Sequence, residues 1–357
     1  HIILSANSHF LNLCKLIEST NTLDFLGSNY NFFDIKTNKY WSLKINKGRF
    51  PYWIFDKNKR VPGTDIKDYF SILKLLVCNK KDTVLDILKK KNNLYNFFWE
   101  PLTLGILNTP CGEASAWVLK NVLKGTFVKG ADFCEIIQPK ISWNKTLVDP
   151  MLDHLKKRKV LLNFNSLLKD LEISNGSIKS LRFKNKKIKL DDSDKVIFAI
   201  PPNNLKKLFK NIYLPDEFNT IINIHFKIDQ RFFKSKPRIL GILNSLSHWV
   251  FLKKNHCSVT LSGANELIEI PKGDLIKKIW LEISKSLKLS HMCCPPYRLI
   301  MEKKATYNQS PANNLLIRKV KDYPKNCSII GDWTEFNFPC SIESSIISAE
   351  KLKKKFT

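Results

Sequence analysis

The sequence lacks the short patterns by which several classes of protein are recognised. Its nine cysteines include no C-x-x-C pair and its seven histidines include no H-E-x-x-H pattern, so we predict no metal site. No stretch approaches the roughly 18 uninterrupted apolar residues that a membrane-spanning helix needs. Cysteines without a disulfide pattern are typical of reduced thiols, and we therefore expect a cytoplasmic protein.

Acidic residues are scarce. The chain has 59 Lys and Arg against 32 Asp and Glu, which gives a formal net charge of +27. Such a charge suits nucleic acid or an anionic membrane face. However, the lysines are dispersed, which indicates compositional bias and a solvated surface for most of them. We expect no nucleic-acid partner, and a smaller contribution of the charge to peripheral contact with the inner face of an acidic membrane.

The apolar content is sufficient for a folded protein with two domains. The chain has 357 residues, of which 43% are hydrophobic and 23 are Phe. Alternating apolar residues predict strands within 31–60, 221–228, 249–253 and 258–262, and Asn175-Gly176 predicts a hairpin turn. Helical spacing predicts helices within 9–26, 65–91, 150–159 and 274–287, whereas 160–164 reads as a strand and 195–200 as a buried strand.

The most informative stretch lies near the C-terminus. An apolar run ending at Ile330 leads into Gly331-Asp332-Trp333-Thr334, and Ser341-Ile342-Glu343 then opens a segment with helical spacing. This order predicts a strand, a glycine turn, a loop and a helix. Gly331 would let a ligand approach the backbone, Asp332 would accept hydrogen bonds from ribose hydroxyls, and the helix start would face an anion. The alternative is a corner of the fold without a ligand.

A second block runs from Phe98 to Pro110 and reads F-W-E-P-L-T-L-G-I-L-N-T-P, followed by E-A-S from Glu113. Together with the G-D-W-T and P-x-x-I-E segments near the C-terminus, it resembles the squalene-associated FAD-dependent desaturases. These are the hydroxysqualene dehydroxylases, within the flavin amine oxidase and phytoene desaturase superfamily. Further matches occur in the family's order at 138–140, 199–202 and 302–311, so the resemblance covers nearly the whole chain.

The resemblance implies a fold of the α/β plus α+β type, like that of the flavin amine oxidases. A Rossmann-like FAD/NAD(P)-binding domain would be built from discontinuous segments, with a substrate domain inserted. We expect an FAD-domain remnant at 1–35, the mostly helical part of the substrate domain at 36–145, FAD domain at 146–205, the sheet part of the substrate domain at 206–320, and a C-terminal FAD-binding segment at 321–357.

One feature of the family is missing. Such enzymes begin with a strand and a G-x-G-x-x-G turn that holds the FAD pyrophosphate, and this sequence contains no such turn. We therefore expect an N-terminally truncated fragment that lacks the first βαβ unit, binds FAD poorly by itself and is inactive.

The activity that the resemblance implies is FAD-dependent reductive dehydroxylation of hydroxysqualene to squalene, in squalene and hopanoid synthesis. A long-chain isoprenoid would be the substrate, and other enzymes of squalene synthesis are candidate partners. The alternatives within the superfamily are a carotenoid or phytoene-type desaturase, which moves the hydride in the oxidative direction, and another flavin amine oxidase-like enzyme. A basic nucleic-acid-binding protein is the alternative from another class.

The candidate site residues fall into two groups that bind ligands. The predicted cofactor-binding residues are Gly331, Asp332, Trp333, Thr334, Pro339, Ser341, Ile342 and Glu343, to which the resemblance adds Val160 beside the adenine and His1 near the flavin. The residues expected to line an isoprenoid tunnel are Trp99, Asn108, Trp117, Trp249 and Phe338. Each of these aromatic residues has ordinary core packing as its alternative.

Two carboxylates are candidates for catalysis. Glu100 lies between Trp99 and Pro101, and a carboxyl group in apolar surroundings has a raised pKa and would protonate the leaving hydroxyl group. Glu113 is the next candidate. The alternatives are structural: Glu100 would begin a helix, and Asn108 and Thr109 would cap a helix with Glu113 as the capping carboxylate.

Overall fold

The computed structural model describes residues 2–88, 92–209, 212–232, 236–289, 292–318 and 324–356. The chain divides into two compact units, each assembled from separate stretches of sequence. Unit 1 comprises 1–27, 135–216 and 312–357, and unit 2 comprises 28–134 and 217–311. Which unit holds a cofactor and which holds a substrate remains a prediction.

Unit 1 combines helices with three small sheets in its described residues. The sheet orders are β1-β5-β2, β15-β9 and β6-β7-β8. Numbered in chain order along the whole protein, its elements are β1 Ile3–Leu4, α1 Ser8–Leu16, β2 Leu23–Phe25, β5 Ile136–Pro139, α6 Asp149–Lys157, β6 Leu168–Ser174, β7 Ser177–Phe183, β8 Lys187–Lys189, β9 Val196–Phe198, α7 Pro202–Leu208, α9 Pro311–Arg318 (beginning at the boundary), β15 Cys327–Ile329 and α10 Ile342–Phe356.

Two predictions from local pattern are confirmed in unit 1. The β6–β7 hairpin turns at Asn175 and Gly176, whose φ angles of 53° and 71° are those of a type I′ turn. The strand, glycine turn and helix near the C-terminus are present as β15, Gly331 and α10. In both places the residues that need a positive φ are glycine or asparagine, which adopt it at low cost.

Three other predictions for unit 1 need correction. The helix expected to reach residue 26 ends at Leu16, because Leu23–Phe25 pair with β5 as a strand. The segment 160–164 is irregular with mostly exposed side chains, and within the described residues no strand pairs with it. The strand near 195–200 exists as β9, but Ile197 is 48% exposed and β15 is its partner in a two-stranded sheet.

Unit 2 is built around a seven-stranded sheet in the order β14-β10-β13-β12-β11-β3-β4. Its elements are β3 Asn29–Asp34, β4 Lys39–Lys44, α2 Ser71–Leu76, α3 Val84–Leu88, α4 Glu100–Leu107, α5 Ala116–Gly125, β10 Phe218–Phe226, β11 Ile239–Leu243, β12 Trp249–Lys253, β13 His256–Leu261, α8 Lys272–Leu287 and β14 Tyr297–Tyr307. The strands predicted in the ranges 221–228, 249–253 and 258–262 are confirmed. No helix in the described stretches is long and apolar enough to cross a membrane.

One face of this sheet packs on α8. Alternate residues of the strands, such as Ile222 and Ile224 of β10, are fully buried against Ile279 and Ile283 of the helix. Side chains alternate between the two faces of a strand, so every second residue enters this core. Full burial of one such side chain stabilises the fold by about 1.5–3 kcal/mol.

The opposite face carries stacked aromatic rings. Phe32 of β3 lies opposite Trp41 of β4 and beside Gly241 of β11, which lies opposite Trp249 of β12. The Phe32 ring is 4.5 Å from Trp41 and 5.7 Å from Trp249, between ring centroids. A Cβ at Gly241 would lie 2.5 Å from the Phe32 ring. We call Phe32, Trp41 and Trp249 the aromatic face.

Two helices, α4 and α6, begin with an acidic residue followed by proline, and each is preceded by a wider turn of π-helix. The turn at Tyr95–Trp99 runs into α4 at Glu100-Pro101, and the turn at Asn144–Val148 runs into α6 at Asp149-Pro150. Proline has no N–H group, and its ring collides with the carbonyl group four residues earlier in a regular α-helix. Widening of the preceding turn accommodates the proline without breaking the helix.

Candidate functional site

The loop between β15 and α10 is the candidate site in unit 1. The N–H group of Ile330 donates to the carbonyl oxygen of Phe198 at 3.0 Å, so the loop leaves the sheet beside the carboxyl end of β9. Gly331 has a φ of +152°, and a Cβ there would lie 3.1 Å from the Trp333 ring. Glycine at this position is therefore required by the packing of the loop itself.

The side chains of Trp333 and Thr334 fasten this loop to its neighbours. The buried Trp333 indole donates its N–H to the carbonyl oxygen of Ile200 at 3.0 Å. The Thr334 hydroxyl donates to the carbonyl oxygen of Gly331 at 2.8 Å and lies 2.7 Å from the Ser348 hydroxyl of α10. These two predicted cofactor-binding residues thus hold the shape of the loop.

Asp332 has a different setting. Burial raises the pKa of its carboxyl group, and hydrogen bonds from the Trp333 N–H at 2.9 Å and the Cys340 thiol lower it in part. A partly buried carboxylate in this condition gains from additional hydroxyl donors. The carboxyl ends of parallel strands followed by a helix N-terminus are where dinucleotides bind in α/β folds. The donors and acceptors present therefore fit a dinucleotide.

The serine hydroxyl groups at the start of α10 make hydrogen bonds inside the protein. The Ser341 hydroxyl accepts the N–H of Ser344 at 3.3 Å, and the Ser344 hydroxyl donates to the carbonyl oxygen of Pro339 at 2.6 Å. Ile342 packs against the core that α1 forms with Ile137 and Leu147.

Glu343 acts as a remote helix cap. Its carboxylate accepts the N–H groups of His9 at 3.1 Å and Phe10 at 2.8 Å, in the first turn of α1. Burial raises the pKa of this carboxyl group, and the two N–H groups lower it in part. The cap residue lies more than 330 positions along the chain from its helix, so no local sequence pattern could have predicted the contact.

In unit 2, Asn108 lies at the end of α4. Its φ of 49° is left-handed, its side-chain oxygen accepts the N–H of Gly263 at 2.6 Å, and its amide donates to the Thr306 hydroxyl at 3.0 Å. The adjacent Thr109 is fully buried. The alternative in which these residues begin a helix is therefore wrong: they end one, and Ser115 holds the N-cap position of α5.

The aromatic residues expected to line a tunnel differ in their surroundings. Trp99 is buried, and its indole donates to the Ser71 hydroxyl at 3.2 Å. Trp249 belongs to the aromatic face and touches α4, where a Cβ at Gly105 would lie 2.9 Å from its indole nitrogen. The Lys120 and Lys80 ammonium groups lie 3.8 and 4.9 Å from the Trp117 ring, so this ring contacts cations. Phe338 lies in unit 1, partly buried in the loop before α10.

Comparison with protein families decides the broad class. The model of the family described as "flavin containing amine oxidoreductase" matches residues 137–351, which is more than half of the chain. The chain belongs to the flavin containing amine oxidoreductase family. A flavin is accordingly the cofactor that this family membership implies.

Three curated proteins that are similar to this chain share the same name. They are hydroxysqualene dehydroxylases from Zymomonas mobilis, Sinorhizobium fredii and Rhodopseudomonas palustris, each 29% identical over 98% of this chain and 84% of the relative. The resemblance derived from the two sequence blocks is thereby confirmed.

Solved structures confirm the fold of a flavin amine oxidase. Cyclohexylamine oxidase from Brevibacterium oxydans superimposes with a TM-score of 0.68 at 9% identity, over 98% of this chain and 86% of that protein. Putrescine oxidase with bound putrescine superimposes with a TM-score of 0.67 at 9% identity, over 99% and 86%. At such low identity these likenesses establish the fold alone.

The two candidate catalytic carboxylates of this family member are at the surface. Glu100 is exposed, so the apolar surroundings expected from its aromatic neighbours are not found. Glu113 is also exposed and accepts the side-chain amide of Asn308 at 2.5 Å. Their catalytic roles remain predictions.

Replacement of Glu100 by Gln should leave turnover within about threefold of the native rate, because the carboxylate is exposed and lacks the apolar surroundings that would raise its pKa for acid catalysis. Single-turnover kinetics of the flavin-loaded protein measures this rate. Glu113→Gln is the comparison, since it removes the charge of the other exposed candidate in unit 2. A fall of about 10²–10⁴-fold for Glu100→Gln alone would restore its assignment as the acid.

Two predicted cofactor contacts have weaker support. His1 lies outside the described residues. Val160 is 45% exposed in the irregular segment that follows α6, so the strand predicted at 160–164 is not found, and its contact with the adenine stays a prediction. In the described residues, no group of three or more His, Cys, Asp or Glu side chains is arranged to hold a metal ion.

The cap that Glu343 forms on α1 should stabilise the folded protein. Glu343→Ala should lower the free energy of unfolding by about 0.5–2 kcal/mol, because two N–H groups of α1 lose their acceptor. Urea unfolding measures the change. Glu350→Ala is the matched control on the same helix: it removes only the half-exposed contact of Glu350 with His9 at 2.6 Å. Equal stability of the Glu343 variant and the native protein would contradict the cap.

Proposed function

We propose that the chain is an FAD-dependent oxidoreductase that converts hydroxysqualene to squalene by reductive dehydroxylation. The observation that carries the proposal is the similarity to three hydroxysqualene dehydroxylases over 98% of the chain. Each of the two sequence blocks that carry the family resemblance corresponds to one local structure. One forms α4 and the corner after it, and the other forms the loop between β15 and α10.

The residues that would hold FAD are in the loop after β15. The Asp332 carboxylate would accept ribose hydroxyl groups, and the N–H groups at the start of α10 would face an electron-rich or anionic part of the cofactor. Gly331 has a φ of +152° and no side chain, so FAD would be able to approach the backbone at this residue. Trp333 and Thr334 hold the loop in the shape that presents these groups.

The reaction replaces a carbon–oxygen bond with a carbon–hydrogen bond. When bound, the reduced flavin supplies a hydride to carbon, while the hydroxyl group leaves with a proton as water, so the substrate is reduced and the flavin is oxidised. The protein must orient the hydrocarbon, exclude water and stabilise positive charge at the carbon that loses the hydroxyl group.

The aromatic face of unit 2 is suited to part of this task. Phe32, Trp41 and Trp249 lie on the side of the sheet away from α8, where the Phe32 ring stacks on Trp41 and is tilted against Trp249. Trp41 and Trp249 are partly exposed, whereas Phe32 is buried. Ring faces bind hydrocarbon and attract positive charge by roughly 0.5–2 kcal/mol each. We assign the isoprenoid chain to this face, to which Trp249 belongs among the residues predicted to line the tunnel.

The test joins a G-x-G-x-x-G unit ahead of this chain, incubates the reduced flavoprotein anaerobically with hydroxysqualene and separates the extracted lipids by chromatography. We expect squalene in a stoichiometric amount with flavin oxidation. Introduction of a further double bond into a phytoene-type isoprenoid by the oxidised protein, with no squalene from hydroxysqualene, would instead support a desaturase. Oxidation of amines with neither isoprenoid reaction would overturn the proposal.

A further inference from the structure

Unit 2 exposes three aromatic side chains on one short turn. Phe50, Tyr52 and Phe55 are between 55 and 67% exposed, and the Phe50 ring lies 4.6 Å from Tyr52 and 6.1 Å from Phe55 between centroids. Trp53, within the same turn, is buried instead. The exposed rings therefore contact one another on the outside of the fold.

A second set of exposed apolar side chains lies along α2. The 3₁₀ turn Ile66–Phe70 runs directly into this helix. Phe70, Leu73 and Val77 are 61, 54 and 79% exposed, whereas Leu75 is fully buried. Residues three, four and seven positions apart share one face of a helix. The helix therefore presents an apolar face to solvent as well as one to the core.

The two sets belong to neighbouring parts of the surface. The buried rings of Trp53 and Tyr69 meet edge to face at 5.3 Å, which joins the first turn to the one that leads into α2. Exposed apolar side chains gathered on two adjoining elements are typical of an interaction site. We call the six exposed residues the apolar strip: Phe50, Tyr52, Phe55, Phe70, Leu73 and Val77.

The charge around the apolar strip is positive. Between residues 44 and 81 the sequence has ten Lys and Arg residues and three Asp residues. The acids are engaged locally: Asp56 lies 3.0 Å from the Lys59 ammonium group, and Asp68 accepts the N–H of Asp65 at 2.9 Å. The surface thus combines exposed aromatic and aliphatic groups with an excess of cations.

We propose that the apolar strip docks on an anionic lipid bilayer. Aromatic side chains insert at the level of lipid headgroups, and lysines near an anionic leaflet attract it by about 1 kcal/mol each. A second copy of the chain is disfavoured as occupant, because it would bring the same excess of cations against this one. The inference goes beyond the proposed reaction and does not depend on it.

Flotation with vesicles tests the proposal. Phosphatidylcholine vesicles with and without phosphatidylglycerol are mixed with the purified protein, and the bound fraction is measured at low and high salt. We expect binding that requires phosphatidylglycerol and weakens with salt. The double variant Leu73→Ser, Lys74→Glu on α2 should bind about tenfold more weakly or worse, because it removes apolar contact and reverses one charge.

The matched control is Leu281→Ser, Lys278→Glu on α8, which makes the same chemical changes at exposed positions of another helix in unit 2. Circular dichroism establishes that both variants are folded. Equal loss of binding in both would mean that net charge alone drives it and would overturn the assignment to the apolar strip. So would undiminished binding of the α2 variant, or a dimer of the native chain that this variant dissociates without altering vesicle binding.

Discussion

Replacement of Asp332 by Ala is expected to weaken FAD binding by about 1.5–3 kcal/mol, the contribution of a hydrogen bond to a charged group, in a protein that carries a G-x-G-x-x-G unit ahead of this chain. This corresponds to a change of about tenfold to a hundredfold in the dissociation constant. Titration of FAD fluorescence against the variant and native proteins measures it. Glu350→Ala is the control, since it removes a half-exposed carboxylate of α10 whose partner is His9 and which the candidate site does not use. Unchanged FAD affinity in the Asp332 variant would remove this residue from the site.

The same carboxyl group should affect stability in the opposite direction. Burial raises the pKa of Asp332 in the folded state, so its contribution to stability is present at low pH and is lost as the pH rises through the folded pKa. At neutral pH the buried charge is a cost that Asp332→Asn removes. The flavin-free Asn variant should therefore unfold at an equal or higher urea concentration than the native protein, and the difference should shrink toward about pH 4. A less stable Asn variant at pH 7 would contradict the desolvation argument.

Gly130→Ala is expected to have the largest effect on folding. Gly130 has a φ of +94° and a ψ of −173°, a region that other residues rarely adopt, and a Cβ there would lie 2.2 Å from the carbonyl oxygen of Gly48. The conformation costs about 1–3 kcal/mol and the collision with backbone about 1–3 kcal/mol more. Circular dichroism during urea unfolding should show a loss of about 2–6 kcal/mol, since a backbone atom cannot rotate away as a side chain does.

Gly125→Ala provides the comparison. Gly125 ends α5, and a Cβ there would meet no atom within 4 Å. Alanine in a helix is about 0.5–1 kcal/mol more favourable than glycine, so this variant should be as stable as the native protein or more stable. If both substitutions changed stability equally, the close approach of Gly130 to Gly48 would not exist in solution.

Features set by neighbouring residues were predictable from the sequence. The turn at Asn175-Gly176, the strands β10, β12 and β13 and the strand–glycine–helix order around Gly331 follow from patterns within about ten residues. Strand β11 was not predicted. The family resemblance likewise rested on contiguous blocks. In each case the residues that determine the feature lie within the same short segment as the feature itself.

The roles of individual side chains were less predictable, because their partners are distant in sequence. Glu343 caps α1 from the other end of the chain, and Trp333 donates to Ile200 across more than 130 residues. Apolar neighbours in sequence also proved a poor guide to burial: Trp99 points inward, whereas the adjacent Glu100 is exposed. Helical geometry sends consecutive residues in different directions, so adjacency does not fix a side chain's surroundings.

The cap on α1 also has a consequence for synthesis of the protein. Helix α1 precedes nearly all the other elements in chain order, but the carboxylate that accepts its N–H groups is in α10, the last of them. During translation, α1 is made long before α10 and gains this packing partner only after α10 has been synthesised. By then all the strands of unit 2 have been made. Ribosome-bound intermediates should therefore contain a folded unit 2 beside an unfinished unit 1, whose exposed apolar residues are a target for chaperones.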